Sequence, residues 1–253
     1  MSTTLSIHSF RGGTGKSNTT ANVGTVLAQG GAKVAMIDTD IQSPGIHILF
    51  QMQEEDIGHS LNDYLWGRCS MQDAAHDVTH TIGPNPQNGQ LYLVPSSIKS
   101  DEIARILREG YDPGMLNEGF GELLETLELD YLLIDTHPGL NEETLLSIAI
   151  SDVLAIVMRP DSQDYQGTGV TVEVAQKLGM ERLWLIVNKV PHTYDLEVVK
   201  QKVEQTYQCE VAMVFPHSDE LMALASAATF VVSHPDHPIT QKYRELTARL
   251  IQQ

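Results

Sequence analysis

Short runs rich in apolar residues recur along the chain, as is typical of strands buried on both faces of a sheet. These runs predict strands at residues 5–10, 33–38, 91–95, 131–135, 153–158, 183–188 and 211–215. Apolar residues three or four positions apart predict helices at residues 17–29, 101–109, 119–127, 142–150, 168–178, 196–207, 219–227 and 238–251. Because strand and helix alternate, we predict an α/β fold with a doubly wound, mostly parallel sheet flanked by helices on both faces.

The alternation of strands and helices continues without a linker rich in Gly, Ser or Pro, which predicts that residues 1–253 form a single domain. A chain of 253 residues is long enough to bury a substantial core. The least regular stretch, residues 42–88, contains several Gly and Pro residues between the second and third predicted strands. We interpret it as an insertion or as a surface that faces a partner.

The charge distribution limits where the protein could bind nucleic acid. A net charge of −17 argues against a surface covered with cations. Residues 1–176 hold 8 basic and 24 acidic residues, whereas residues 177–253 hold 8 basic and 9 acidic ones. The C-terminal third is therefore the candidate surface for non-specific DNA, with solvated helix faces as the equally good alternative. Its basic residues are Lys177, Arg182, Lys189, Lys200, Lys202, Lys242, Arg244 and Arg249.

The sequence lacks the residues that several classes of protein require. The two cysteines, Cys69 and Cys209, are far apart, which argues against a disulfide scaffold, a CxxC redox site, a four-Cys zinc site and an iron–sulfur carrier with paired cysteines. No signal-like start and no apolar window of about 20 residues is present, so we expect a cytoplasmic protein. One apolar stripe in the last predicted helix is expected to pack on the sheet and not in lipid: Ile239, Tyr243, Leu246 and Leu250.

A glycine-rich segment, residues 10–17, follows the first predicted strand and precedes the first predicted helix. Glycines let backbone N–H groups turn inward around phosphate oxygens, and the helix N-terminus adds its positive end. Lys16 is placed to reach the β- and γ-phosphates and Ser17 to hold Mg²⁺. The strict phosphate-loop pattern fails only at Phe10, where its first glycine would stand. The predicted nucleotide-binding residues are Gly12, Gly13, Thr14, Gly15, Lys16, Ser17 and Asn18.

Three acidic residues lie at the ends of predicted strands. Asp38 and Asp40 follow the second strand, and Asp135 ends the fourth. Because open α/β sheets bind ligands at the carboxyl ends of their strands, we expect these acids beside the phosphate loop. The alternative, that each acid only caps a turn, becomes weaker when three acids share one edge.

The segment R-G-G-T-G-K-S at residues 11–17 resembles the deviant Walker A motif, KGGxGK[ST], of the ParA/MinD family of P-loop ATPases. The resemblance extends over almost the whole chain and implies ATP and Mg²⁺ as ligands, slow hydrolysis and an ATP-sandwich homodimer. It implies that Asp40 orients the attacking water and that Arg11 replaces the signature lysine, which reaches the partner's phosphates. It assigns catalysis to Lys16, Asp40, Asp38 and Arg11, and Mg²⁺ binding to Ser17, Asp38 and Asp135.

Further positions match the family less specifically. Asn188 and the backbone after Pro216 resemble residues that line the adenine base. Residues 136–139 resemble a switch segment in which His137 replaces a proline. From the residue type alone, His137 would either read the γ-phosphate or simply pack or face solvent.

Residues 6–17 and 38–45 are most similar to McdA-type ATPases, which space carboxysomes on the nucleoid through an adaptor protein. That resemblance implies a positioning or partitioning ATPase with an adaptor or activator protein and nucleoid association. Two alternatives remain: a MinD-like membrane-associated positioning ATPase, and a metabolic P-loop synthetase or kinase whose substrate pocket would lie in residues 42–88.

Overall fold

The computed structural model describes residues 2–85 and 87–252 and contains an eight-stranded sheet in the order β3-β4-β2-β5-β1-β6-β7-β8. Seven of these strands run parallel, and β3 pairs antiparallel with β4 at one edge. The strands are β1 (Thr3–His8), β2 (Lys33–Asp38), β3 (His76–Asp77), β4 (Gln90–Val94), β5 (Tyr131–Asp135), β6 (Val153–Met158), β7 (Leu183–Val190) and β8 (Val211–Pro216).

Helices cover both faces of the sheet. The first face packs α1, α9 and α10, and the opposite face packs α4, α5, α6 and α7. The predicted α/β fold with a doubly wound, mostly parallel sheet is therefore confirmed. The helices are α1 (Lys16–Gln29), α2 (Leu61–Leu65), α3 (Ser100–Glu109), α4 (Gly114–Thr126), α5 (Glu142–Ile150), α6 (Ser162–Lys177), α7 (Leu196–Tyr207), α8 (Asp219–Ala223), α9 (Phe230–Ser233) and α10 (Pro238–Ile251).

All seven predicted strands are present, and their ends differ from the prediction by at most two residues. The ends of several helices differ more from the prediction. Helix α6 begins at Ser162, six residues earlier than predicted, where the Asp161 carboxylate accepts hydrogen bonds from the next turn. Helix α8 ends at Ala223, since the left-handed residues Ala225 and Ser226 stop it.

The irregular stretch at residues 42–88 packs against the sheet. It contains α2, β3 and three short 3₁₀ turns, Ile46–Phe50, Glu54–Asp56 and Thr79–Thr81. Strand β3 was not predicted, because two residues are too few to show a period. Much of the apolar content of the stretch belongs to the core, including the fully buried side chains of Ile46, Phe50, Leu61, Met71 and Ile82.

Helix α10 has the packing that its sequence predicts. Its apolar stripe is 0–4% exposed and lies against α1 and β8. Within residues 2–85 and 87–252, no helix combines the length and the hydropathy needed to span a bilayer.

The strand order brings the predicted site together. Strand β5 lies between β2 and β1, so Asp135 is level with Asp38 on one side and with Ile7 on the other. Seven residues separate β1 from helix α1, which runs back along the sheet, so the glycine-rich loop lies above the carboxyl ends of these three strands.

Candidate functional site

The loop between β1 and α1 has the backbone that its glycines permit. Gly13 and Gly15 adopt φ angles of +77° and +101°, a region that residues with a Cβ disfavour. A Cβ on Gly15 would also overlap the Asn188 side-chain amide. The observed loop conformation therefore requires glycine at both positions.

Two residues at the end of β7 hold this loop from one side. Asn188 Nδ2 donates to the Thr14 carbonyl at 2.8 Å, and Lys189 Nζ donates to the Gly13 carbonyl at 2.8 Å. Lys189 adopts a left-handed φ of +56°, and its backbone N–H donates to Asn188 Oδ1 at 2.8 Å. Sequence reasoning linked Asn188 to the base and missed both contacts with the loop, since the partners are 174 and 176 residues apart.

The two positions assigned to the adenine base, Asn188 and Pro216, line the same small cavity. Its volume is about 20 Å³, which is roughly that of one water. Met222, whose side chain is largely exposed, and Tyr243, which is buried, complete part of its wall. A cavity of this size is too small to enclose an adenine base.

Phe10 and Arg11, the two residues that depart from the common phosphate-loop patterns, both contact α6. The Phe10 ring packs so closely on Gly167 that a Cβ there would overlap the ring. Arg11 Nη1 lies 3.2 Å from Asp161 Oδ1 and 3.4 Å from Asp164 Oδ1. Arg11 therefore pairs with two carboxylates of its own chain.

We expect Gly167→Ala to displace Phe10 and with it the loop. Overpacking of this kind costs about 1–3 kcal/mol, so the melting temperature of the nucleotide-free protein should fall by several degrees, and ATP affinity should fall with it. Gly169→Ala, two residues along the same helix, adds a Cβ with ordinary contacts and is the matched control. Thermal unfolding and equilibrium ATP binding measure both effects; equal behaviour of the two variants would contradict the packing argument.

One lysine and three carboxylates converge beneath the loop. Lys16 is 5% exposed, and its Nζ lies 2.8 Å from Asp135 Oδ1 and 3.8 Å from Asp40 Oδ2. Burial disfavours the ammonium ion, but the carboxylates outweigh it and raise the pKa of Lys16 above its ordinary value. Thr20, on α1, also donates to Asp135 Oδ1 at 3.2 Å. Lys16 thus carries a full positive charge at the place where phosphates are expected.

Asp38 is fully buried and stays beside these groups through backbone contacts. Its oxygens accept hydrogen bonds from the N–H groups of Asp40, at 3.0 Å, and Gly45, at 3.2 Å. Burial, and then repulsion by Asp135, raise the pKa of Asp38 to about 8. Because the unfolded chain ionises Asp38 near pH 4, the folded protein holds an extra proton between about pH 4 and pH 8 and loses stability as the pH rises through that window.

Asp38→Asn is therefore expected to stabilise the nucleotide-free protein at high pH and to change it little at low pH. We expect a melting temperature about 3–6 °C above that of the wild type at pH 8, and this difference should shrink towards zero near pH 4. Thermal unfolding in EDTA across this pH range measures the effect, with Asp236→Asn, at an exposed position, as the control. A difference that does not change with pH would contradict the buried-charge argument.

The donor set of this cluster fits a divalent cation bound together with phosphate. Asp135 Oδ2 is buried without a hydrogen-bond partner, and three carboxylates face a single lysine. Ser17, half-buried at the first turn of α1, contributes a hydroxyl from the loop side. Among the described residues, no group of three or more His, Cys, Asp or Glu side chains has the geometry of a metal site by itself.

Two histidines lie beside the cluster. His137 Nδ1 is 2.7 Å from Asp40 Oδ1, so the residue that replaces a proline contacts the predicted water-orienting acid and not the phosphate loop. His8, the last residue of β1, is fully buried with its Nδ1 2.7 Å from Thr136 Oγ1. Burial, and then the charge of Lys16, lower the pKa of His8 to about 3, so it stays neutral. His8 could not be singled out from the sequence, because a single histidine in an apolar strand has no spacing to interpret.

The chain matches the family of AAA domains over residues 2–198. It is 25% identical, over 99% of its length and 88% of the relative's, to the septum site-determining protein MinD of Thermotoga maritima. Among solved structures, it is similar to MinD of Pyrococcus horikoshii complexed with Mg-ADP, with a TM-score of 0.82 and 22% identity over 100% of this chain and 97% of the MinD chain. It is also similar to apo McdA of Cyanothece, with a TM-score of 0.77 and 19% identity over 100% of both chains.

Proposed function

This chain belongs to the family of AAA domains, and we propose that it is an ATP-hydrolysing P-loop protein of the ParA/MinD kind that acts as a slow, partner-stimulated positioning ATPase. In this proposal, residues 1–253 form one ATPase domain that binds ATP and Mg²⁺ and dimerises with the nucleotides between its subunits. The observation that carries the proposal is the buried Lys16, surrounded by acids at the edge where β1, β2 and β5 end.

The proposed chemistry is in-line attack of water on the γ-phosphate. The loop amides at Gly12, Gly13, Thr14 and Gly15 hold phosphate oxygens, with Asn18 in the first turn behind them, and Lys16 exchanges its bond to Asp135 for the β- and γ-phosphates. Asp40 orients the attacking water and receives its proton. Mg²⁺, when bound by Ser17, Asp38 and Asp135, neutralises the charge that develops on the phosphates.

Arg11 is proposed to act across the dimer after it leaves its own α6. Its contacts with Asp161 and Asp164, at 3.2 and 3.4 Å, are partly exposed on the Arg11 side, and the guanidinium is a planar fork suited to phosphate. Dimerisation would then exchange two carboxylate contacts for contacts with the partner's phosphates. This places the association step under the control of the nucleotide.

The cargo-related functions are proposed from resemblance. McdA-like activity requires an adaptor or activator protein and non-specific DNA through the C-terminal third. Lys200, Lys242 and Arg249 line one groove there, but Glu197 and Glu245 line it too. Other cations of this region are paired within the protein: Lys177 with Glu173, Arg182 with the Leu250 and Gln252 carbonyls, and Lys202 above the Tyr165 ring.

The relatives include a septum site-determining MinD protein, which is consistent with the MinD-like alternative, whereas the buried apolar stripe of α10 disfavours a membrane helix at that position. For the metabolic synthetase alternative, a polar cavity of about 70 Å³ lies beside residues 42–88, lined by Asp63, Arg68 and Glu102. The salt bridges of Arg68 with Asp63, at 3.0 Å, and with Glu102, at 2.8 Å, already pair these charges.

One experiment tests the ATPase activity, the dimer and the nucleoid function. The wild type is incubated with Mg-ATP or Mg-ADP; phosphate release, molar mass by light scattering, and mobility with random duplex DNA across a salt series are then measured. The proposal predicts hydrolysis and an ATP-dependent dimer, and nucleoid association adds ATP-dependent, salt-sensitive DNA binding. Absence of DNA binding at low salt would remove the nucleoid function. Absence of ATP hydrolysis would contradict the proposed ATPase activity.

A further inference from the structure

We propose that His137 is a positioning residue for ATP hydrolysis: its imidazole fixes the Asp40 carboxylate that orients the attacking water. The inference rests on the proposed ATPase function and concerns a residue to which the family pattern gives no such role, because a proline usually stands there.

The Asp40 carboxylate is held from two directions. His137 Nδ1 lies 2.7 Å from Oδ1, and Lys16 Nζ lies 3.8 Å from Oδ2. Asp40 is 7% exposed, so little water competes for either oxygen. One oxygen is thereby committed to the imidazole, and the other points towards the lysine that will hold the phosphates. A water bound to this second oxygen would lie between the carboxylate and the γ-phosphate.

The imidazole can hold Asp40 because its own backbone is anchored. Thr144 Oγ1, in the first turn of α5, donates to the His137 carbonyl at 3.2 Å. On either side of His137, the Thr136 N–H donates to the Ile7 carbonyl at 3.2 Å and the Gly139 N–H to the Ser9 carbonyl at 3.0 Å. The segment at residues 136–139 is thus tied to the end of β1. The Asp40–His137 bond extends that support to the loop after β2.

The geometry predicts an effect on hydrolysis and little effect on nucleotide affinity. Among the described residues, no hydrogen bond joins His137 to residues 10–17. The loop that binds phosphates therefore keeps its supports when the imidazole is removed. The Asp40 carboxylate, by contrast, becomes free to rotate. A misplaced orienting group lowers the rate of hydrolysis without changing the affinity for the bound nucleotide.

The test compares His137→Ala and His137→Asn with the wild type. Asp40→Ala and the double variant Asp40→Ala/His137→Ala show whether the two residues act together. His80→Ala is the control for loss of an exposed imidazole. We expect His137→Ala to lower kcat roughly tenfold or more and to change the Kd for Mg-ATP less than about threefold. His137→Asn keeps an N–H donor close to the Nδ1 position and should retain kcat within about threefold of the wild type. The double variant should hydrolyse no more slowly than Asp40→Ala, because His137 acts through Asp40.

Thermal unfolding of each variant without nucleotide separates a loss of folding from a loss of positioning. The inference is overturned if His137→Ala keeps wild-type kcat, if its loss multiplies with that of Asp40→Ala, or if His137→Asn is as slow as His137→Ala. In each of these cases the wild type still hydrolyses ATP, so the proposed function stands. A wild type that hydrolyses no ATP overturns both.

Discussion

Replacement of Lys16 by alanine is expected to abolish ATP binding at millimolar nucleotide. Lys16 is the only lysine or arginine within 4 Å of the buried Asp40 and Asp135 carboxylates among the residues that the structure describes. Without it, the phosphates of ATP would meet a site of uncompensated negative charge, and loss of a buried charge partner costs about 2–5 kcal/mol or more, which is at least roughly 30-fold in affinity.

The same substitution is expected to destabilise the protein, because it leaves Asp135 without its ion-pair partner. Breaking a buried pair costs about 3–5 kcal/mol. Lys16→Gln retains an N–H donor for Asp135 and is therefore the better-folded companion variant. Equilibrium binding of Mg-ATP, followed by calorimetry on samples whose thermal unfolding has been checked, measures the effect. Tight binding by a folded Lys16→Gln protein would show that the phosphates bind elsewhere.

Asp40→Ala is expected to separate ATP binding from ATP hydrolysis. The variant keeps the loop and the Lys16–Asp135 contact, so it should bind Mg-ATP and form the ATP-dependent dimer. Its kcat should fall about 10²-fold or more, because the group that positions and deprotonates the water is gone. The ATP-bound state should therefore persist and accumulate.

Phosphate release and light scattering in the presence of Mg-ATP measure the two properties on one sample, with Asp236→Ala, at an exposed acid, as the control. An Asp40→Ala protein that binds ATP and stays monomeric would contradict the nucleotide-sandwich dimer. One that hydrolyses ATP at the wild-type rate would show that another group orients the water, and Asp38 would be the first candidate.

The fold was predictable because its signals are local. An apolar run of five or six residues marks each long strand, and the alternation with helices indicates parallel connections. The glycines of residues 12–15 and the acids Asp38 and Asp135 could be placed from the same information. Each follows a strand, and the carboxyl ends of parallel strands meet at one edge.

The side-chain contacts that refine the site were not predictable, because they join distant parts of the chain. The contacts of Arg11 with Asp161 and of Asp40 with His137 span 150 and 97 residues. No periodicity reports on such pairs, and arginine or histidine at these positions is equally compatible with exposure to solvent. The raised pKa of Asp38 likewise depends on burial and on Asp135, which only the assembled sheet brings together.

The glycine-rich loop is supported on both flanks, by Asn188 and Lys189 at the end of β7 and by the contact of Phe10 with Gly167 on α6. Glycine-rich segments ordinarily lose much conformational entropy when they close around a ligand. Here that loss has already occurred during folding, so capture of phosphate requires little further ordering. The binding enthalpy of the nucleotide is then opposed by only a small conformational entropy, and a loop freed on either flank would bind less tightly while making the same phosphate contacts.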